Sequence, residues 1–326
     1  FWTFDHILII AHFLATSKTH TFSFKTPDGF DVFVYKWSPE AEIKPKAVVQ
    51  IAHGAAEHAR RYERFARFLI EAAYLVYAND HRGHWKTAGT PERAGIAGKD
   101  GWNGMVRDVR QLTEIIHQEN PGVPLFFFGH SMGSLIAQQY MQHWGSDPKG
   151  VILSGTFGTL GDAGAIIAMV EQEAQAKGYD APSTVFASMF TSFNQPFQPA
   201  KTGFEWLSRD EAEVQKYVDD PWCGFPFSNQ LVLDFFKGAQ EVWKAENEAK
   251  IPKDLPILIA SGDQDPVGGN TASVNLLIER YRQHGLKNIT VKFYPGARHE
   301  ILNEINRDEV HQDILNWMEA ILHSGT

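Results

Sequence analysis

Cysteine is nearly absent. Cys223 is the single one in 326 residues, so no disulfide can form within the chain and no cysteine-built metal cluster is available. That pattern fits a reducing compartment. Basic charge is also in short supply. Lys and Arg number 30 against 39 Asp and Glu, giving a formal net charge of −9, which argues against nucleic acid or an anionic membrane as an electrostatic partner. Internal repeats and low-complexity tracts are missing. So is an apolar run long enough to span a bilayer, which takes about 20 residues. Phe1 to Ala15 is strongly apolar but too short. It lacks the basic start of a signal peptide and carries Asp5, and the chain begins without Met. The expectation for residues 1–20 is an apolar arm, packed on the domain or leaning on a membrane. The expected location is the cytoplasm, with membrane association through that arm or a lid; the alternative is export with a trimmed signal.

Apolar residues at 43% and aromatics at 13% suffice for one large α/β domain with an insertion. Two early alternating runs, residues 21–25 and 30–37, flank the turn-like Pro27-Asp28-Gly29 and read as an antiparallel hairpin at a sheet edge. Continuous apolar strands then follow at 47–52, 74–78, 125–128, 151–154, 257–260 and 289–294. Amphipathic helical patterns lie at 61–72, 105–118, 135–144, 272–283 and 309–322. This alternation implies a mostly parallel sheet covered by helices on both faces. It stops over residues 157–253, a stretch rich in Phe, Trp and Met between two core strands. That stretch reads as a helical cap, or lid, over the strand C-termini, where ligands bind in open α/β sheets. The α/β core is then 21–156 and 254–326. A small cap rarely buries so many aromatics, and leaving roughly 300 Å² of them wet would cost about 7 kcal/mol. Some of them are therefore expected to line an apolar pocket or face lipid.

Chemistry enters at Pro124-Leu125-Phe126-Phe127-Phe128-Gly129-His130-Ser131-Met132-Gly133-Ser134. An apolar strand runs into Gly-x-Ser-x-Gly, and a helical pattern follows. That is a nucleophile elbow, which holds a serine in a strained strand-to-helix turn and needs small neighbours at Gly129 and Gly133. The helix N-terminus then aims N–H groups at a developing oxyanion.

A serine hydroxyl needs a base, and the base needs an orienting carboxylate, in the chain order Ser, Asp or Glu, His. Strand 257–260 ends in Ser261-Gly262-Asp263-Gln264-Asp265, so the carboxylate is Asp263 or Asp265. Asp265 is favoured because it lies further into the loop, with Asp263 as a turn-capping residue. His299 follows strand 289–294 and is the expected base; His284, His311 and His323 fall in helical patterns. The early loop His53-Gly54-Ala55-Ala56-Glu57-His58 offers the second oxyanion donor, so the expected hole is Ala55 and Met132 N–H. His53 and His58 are read as structural, with no third ligand evident nearby. Neither metal nor cofactor is expected.

Together these residues resemble the monoacylglycerol lipase and lysophospholipase group of serine α/β-hydrolases. The resemblance runs through His53-Gly54-Ala55-Ala56-Glu57-His58 with Arg61-Tyr62, Asp80-His81-Arg82-Gly83-His84, Gly129-His130-Ser131-Met132-Gly133, Gly262-Asp263-Gln264-Asp265-Pro266-Val267 and His299. Asp219-Asp220-Pro221-Trp222-Cys223-Gly224-Phe225 is similar to bacterial members. It implies an α/β-hydrolase fold, a cap over an acyl tunnel, and hydrolysis of fatty-acid monoesters of glycerol or glycerophosphate. It also maps Ser131, Asp265 and His299 to the triad, and Ala55 and Met132 to the oxyanion hole. Glu57, Phe157, Phe190 and Trp222 are the expected substrate contacts, and the expected partner is a small lipid-like ester. Trp85 departs from the group, which usually has a small Gly there; it either fills space near the site or alters a backbone that needs φ > 0. Three other readings compete: a small-ester carboxylesterase, a proline-iminopeptidase-like enzyme with Glu57 as the amine-binding acid, and a lipid-binding protein without activity.

Overall fold

The computed structural model describes residues 17–40 and 44–324. Most of the apolar arm lies outside the described residues. Residues 17–20, however, belong to the first strand, which starts earlier than its sequence pattern indicated.

The elements in chain order are β1 (Ser17–Lys25), β2 (Asp31–Pro39), β3 (Ala47–Ala52), α1 (Glu63–Glu71), β4 (Tyr74–Asn79), α2 (Trp85–Ala88), α3 (Gly101–Glu119), β5 (Leu125–His130), α4 (Met132–Trp144) and β6 (Gly150–Ser154). Then come α5 (Ala163–Lys177), α6 (Thr184–Phe193), α7 (Glu211–Asp219), α8 (Asn229–Val242), α9 (Ala245–Glu248), β7 (Ile257–Gly262), α10 (Ala272–Gln283), β8 (Ile289–Tyr294) and α11 (Arg307–His323).

The eight strands form one sheet in the order β1-β2-β4-β3-β5-β6-β7-β8. β1 and β2 pair antiparallel, β2 joins β4 antiparallel, and every later pairing is parallel. β3 to β7 are buried along their whole length. Their continuous apolar sequences follow from that double coverage.

Alternation along β5 distributes its side chains to two cores. Phe126 and Phe128 pack with α1 and α11 through Phe65, Leu69, Val310, Ile314 and Met318. Phe127 turns the other way, toward Met105, Leu135, Tyr140 and Leu277. Because strands β3, β5, β6, β7 and β8 are parallel, the loops after them meet at one sheet edge. Ser131, Asp265 and His299 all stand on such loops.

Residues 157–253 do not all stand over that edge. α8 packs against α3 and α4, with Leu231, Phe235 and Ala239 in the same core as Trp102 and Ile136. The expected cap boundary at 253 is therefore too late. The helical pattern of α8 is a sheet-covering one, hidden in the sequence by the apolar residues around it. α5, α6 and α7 come before it, and each is capped by a side chain accepting an N–H: Asp162, Ser183 and Asp210.

Candidate active site

Ser131 occupies the turn between β5 and α4 with φ 52° and ψ −119°. Such a conformation is strained for a residue with a Cβ and persists only when the surroundings impose it. They do so here. Ser131 N–H donates to Ser154 O at 2.9 Å, and Ser134 Oγ donates to Ser131 O at 2.6 Å. A Cβ on Gly129 would run into the Gly133 carbonyl, and one on Gly133 into the Ala52 carbonyl. Glycine at both positions lets strand and helix pass.

His299 Nδ1 lies 2.9 Å from Asp265 Oδ2, and both residues are buried. A carboxylate can only accept, so Nδ1 carries the proton and Nε2 presents its lone pair. Asp265 Oδ1 accepts the Val267 N–H at 2.9 Å, which orients the carboxylate. Burial pushes the His299 pKa down, but the charge and hydrogen bond of Asp265, with the charges of Glu300 and Glu57, outweigh it and raise the value. Asp263 takes a different part: its Oδ1 accepts Gly296 N–H at 2.7 Å and ties the two loops together.

His130, beside Ser131, packs its ring 4.7 Å from that of His299, the two planes tilted by 49°. Burial holds His130 neutral, with its pKa pushed down to about 4. The N–H groups of Ala55 and Met132 have no hydrogen-bond partner among the described residues. Both residues line the space above Ser131.

Glu57 does not line that space. Its carboxylate is taken up by Gly54 N–H at 2.6 Å, Tyr62 OH at 2.7 Å and the Arg61 guanidinium. Arg61 in turn grips Glu300 with two bonds of 2.6 and 2.7 Å. The expectation of Glu57 as a substrate contact is therefore corrected. A buried carboxylate needs partners, and here the chain supplies all of them. Its work is to brace the Gly54-Ala55 turn.

The space above Ser131 is a narrow apolar slot of about 30 Å³. Phe157 and Phe190 line it, joined by Phe186, Phe193, Trp206 and Phe227. The rings interlock: Phe186 stacks on Phe227 with centroids 4.4 Å apart, and Phe190 meets Trp206 edge to face at 5.5 Å. Trp222 is not in the wall, a second correction. It sits in the turn from Asp220 to Gly224, which faces the flank of the oxyanion loop: Gly224 N–H donates to Ala56 O at 2.9 Å.

Trp85 does adopt a positive φ, 26°. Its ring packs 4.2 Å from His58, outside the slot, so it does not plug the slot. The fold also brings Asp220 and Cys223 to His58, with donor atoms within 4.8 Å of one another. The third ligand type missing from the local sequence is thus present in space. His58 Nε2 donates to Asp220 Oδ2 at 2.9 Å, and burial pushes the Cys223 thiol pKa up, away from the thiolate a metal would need. This group is a staple between cap and core.

A strained serine and a buried Asp–His pair, both on loops at the C-terminal edge of this sheet order, define a serine hydrolase of the α/β-hydrolase fold. The chain belongs to the serine aminopeptidase S33 family, whose model matches residues 43–306. A monoacylglycerol lipase of Mycolicibacterium smegmatis is 27% identical, over 95% of this chain and all of its own length (100%). Human monoglyceride lipase is 28% identical, over 89% of this chain and 88% of its own. A thermostable carboxyl esterase from Bacillus coagulans, solved in complex with glycerol, superposes with a TM-score of 0.86 at 31% identity, over 93% of this chain and 99% of the esterase. The likeness to the monoacylglycerol lipase group, first visible in short motifs, thus extends through nearly the whole chain.

Proposed function

We propose that the protein hydrolyses fatty-acid monoesters of glycerol, or related monoacyl lipids, through an acyl-enzyme on Ser131. The observation that carries this reading is the apolar slot opening on Ser131 beside the Asp265–His299 pair. His299 Nε2 takes the Ser131 proton as Oγ attacks the ester carbonyl carbon. The oxyanion is held by Ala55 and Met132 N–H, two donors with nothing else to bind. The C–O bond breaks, and His299 returns the proton to the departing alcohol oxygen. Water, deprotonated by His299, then attacks the acyl carbon and frees the fatty acid. Asp265 keeps the imidazole in the working tautomer and stabilises the imidazolium.

The slot accounts for the acyl preference. Each buried CH₂ contributes about 0.8 kcal/mol, so a chain is favoured over acetate. The glycerol monoester is supported by relatives named for that substrate and by the glycerol-bound esterase. A lipid surface is the proposed site of substrate uptake. Residues 181–200, which contain α6, include no charged side chain, and Met169 on α5 is 57% exposed. No described helix is long and apolar enough to cross a membrane.

An aminopeptidase reading, suggested by the family's name, needs an acid to hold the substrate amine. The slot lining contains no Asp or Glu, and Glu57 is fully engaged elsewhere. Assaying a fatty glycerol monoester against an N-terminal prolyl amide separates the two. Faster cleavage of the amide contradicts the ester reading. Stoichiometric labelling of Ser131 by a fluorophosphonate is expected, and its absence would favour a lipid-binding protein without activity.

A further inference from the structure

Trp206 stands where cap and core meet. Its N–H donates to Asn194 Oδ1 at 3.0 Å, and its carbonyl accepts the His299 N–H at 3.2 Å. The ring lies 5.0 Å from the His299 ring and 5.1 Å from Phe193, and it forms part of the slot above Ser131. The residue is only 3% exposed, and its indole Nε1–H has no hydrogen-bond partner among the described residues.

Three other indoles among the described residues are paired. Trp102 donates to Gln139 Oε1 at 2.6 Å, Trp243 to Gln138 Oε1 at 3.0 Å and Trp317 to Thr290 Oγ1 at 3.3 Å. Trp37 is also unpaired, but it lies in the core with Tyr35 and Val76, away from the slot. A buried donor without an acceptor is destabilising and rare. Here it occurs against the residue that hands a proton to the leaving group. That wall is where the departing alcohol must lie, since His299 has to reach its oxygen. Apart from the Ser131 hydroxyl, the side chains around the slot are apolar, so a substrate oxygen is the available acceptor.

We propose that the Trp206 indole N–H binds a hydroxyl oxygen of the departing alcohol, so that the slot selects polyol monoesters over monohydric esters of the same acid. This rests on the roles given above to Ser131 and His299. Trp206 is a substrate-binding residue in this scheme and transfers no proton.

The test compares a glycerol monoester with the propyl ester of the same fatty acid on the unmodified protein, Trp206→Phe and Ser131→Ala. Phenylalanine keeps an aromatic ring in the stack and removes the donor. The unmodified protein should have the higher kcat/KM on the glycerol ester. Trp206→Phe should lower that value by roughly threefold to tenfold, the worth of one hydrogen bond, mainly through KM. The propyl ester should change by less than twofold. Equal rates on the two esters in the unmodified protein overturn the proposal, whether or not the variant folds. So does a parallel fall on both esters in Trp206→Phe. Turnover that survives in Ser131→Ala overturns the mechanism beneath it instead.

Discussion

Arg61 is one guanidinium held between two buried carboxylates on different loops, Glu57 behind the oxyanion turn and Glu300 next to His299. Its face also lies over the Tyr217 ring of the cap, 4.8 Å from the centroid. Burial alone would raise the Glu300 pKa, but Arg61 holds it low, so Glu300 stays charged and its bond to Arg61 persists at neutral pH. Removing the cation leaves two buried carboxylates uncompensated. Arg61→Met should therefore destabilise the fold by about 3–5 kcal/mol in urea titrations, and a change below about 1 kcal/mol would contradict the bridging role. Asp265→Asn should keep the fold and lower kcat by on the order of 10³ to 10⁴, because the amide offers an N–H where the imidazole needs an acceptor. The raised His299 pKa places the acidic limb of kcat/KM above pH 6.5, the ordinary histidine value of about 6.5. A limb centred below pH 6 would argue against His299 as the base. Legibility at this scale followed locality. Ser131, Asp265 and His299 sit at strand ends in short motifs, and the fold brings Asp265 and His299 into contact. The Trp222 turn meets Ala56 only through folding; the partners of Glu57 lie within five residues of it, but their spacing does not reveal that they turn their donors onto its carboxylate. Trp206 was visible only as one aromatic among many in the 157–253 stretch.

Among the elements, the elbow has the least tolerance. The β5–α4 turn, the β3 end and the β6 end share it through Gly133, Ala52 and Ser154. Gly133→Ala must push a methyl group into the Ala52 carbonyl, and the expected cost is about 1–3 kcal/mol with loss of activity. A fully active, equally stable Gly133→Ala protein would show that the strand and helix can separate. α6 is the element that sets slot width, since Phe186, Phe190 and Phe193 all project from it into the lining. Phe190→Ala should therefore move the acyl-chain optimum toward longer chains, measured across a series of glycerol monoesters. The core strands and the helices beside them were readable to within a few residues, because continuous apolar runs and helical spacing are local signals. α5 to α8 were not separable in sequence. Their apolar residues serve a slot, a small cap core and a sheet-covering helix at once, and no single period survives.

On the scale of the whole molecule, buried histidines determine the response to acid. Burial pushes the pKa of His81 down to about 3 and those of His84, His130 and His311 down to about 4. In the unfolded chain each titrates near 6.5. Between these values the unfolded state binds more protons, so stability falls as pH drops from about 6.5 toward 4. His299 runs the other way. Its raised pKa adds stability below about 6.5 that is lost as pH rises through its folded value, and Asp80, pushed up to about 7 by burial, acts in the same sense; the lowered histidines, which include His53 and His58, outnumber these two. Tm should therefore decline steadily from pH 7 to pH 4.5, and a flat profile would contradict the burial of these imidazoles. The sheet and its parallel direction were legible from the alternation of strands and helices. The position of the cap was not, because the His58–Asp220 pair and the Tyr217 OH to Ala56 O bond that seat it join residues more than 160 positions apart. The central claim is that Ser131 works at the foot of an acyl slot. The most direct test measures fatty-acid release from glycerol monoesters of two to sixteen carbons by the unmodified protein and Ser131→Ala. The account predicts an optimum at medium or long chains that vanishes with the serine. Activity confined to two- or four-carbon esters, or retained without Ser131, would contradict it.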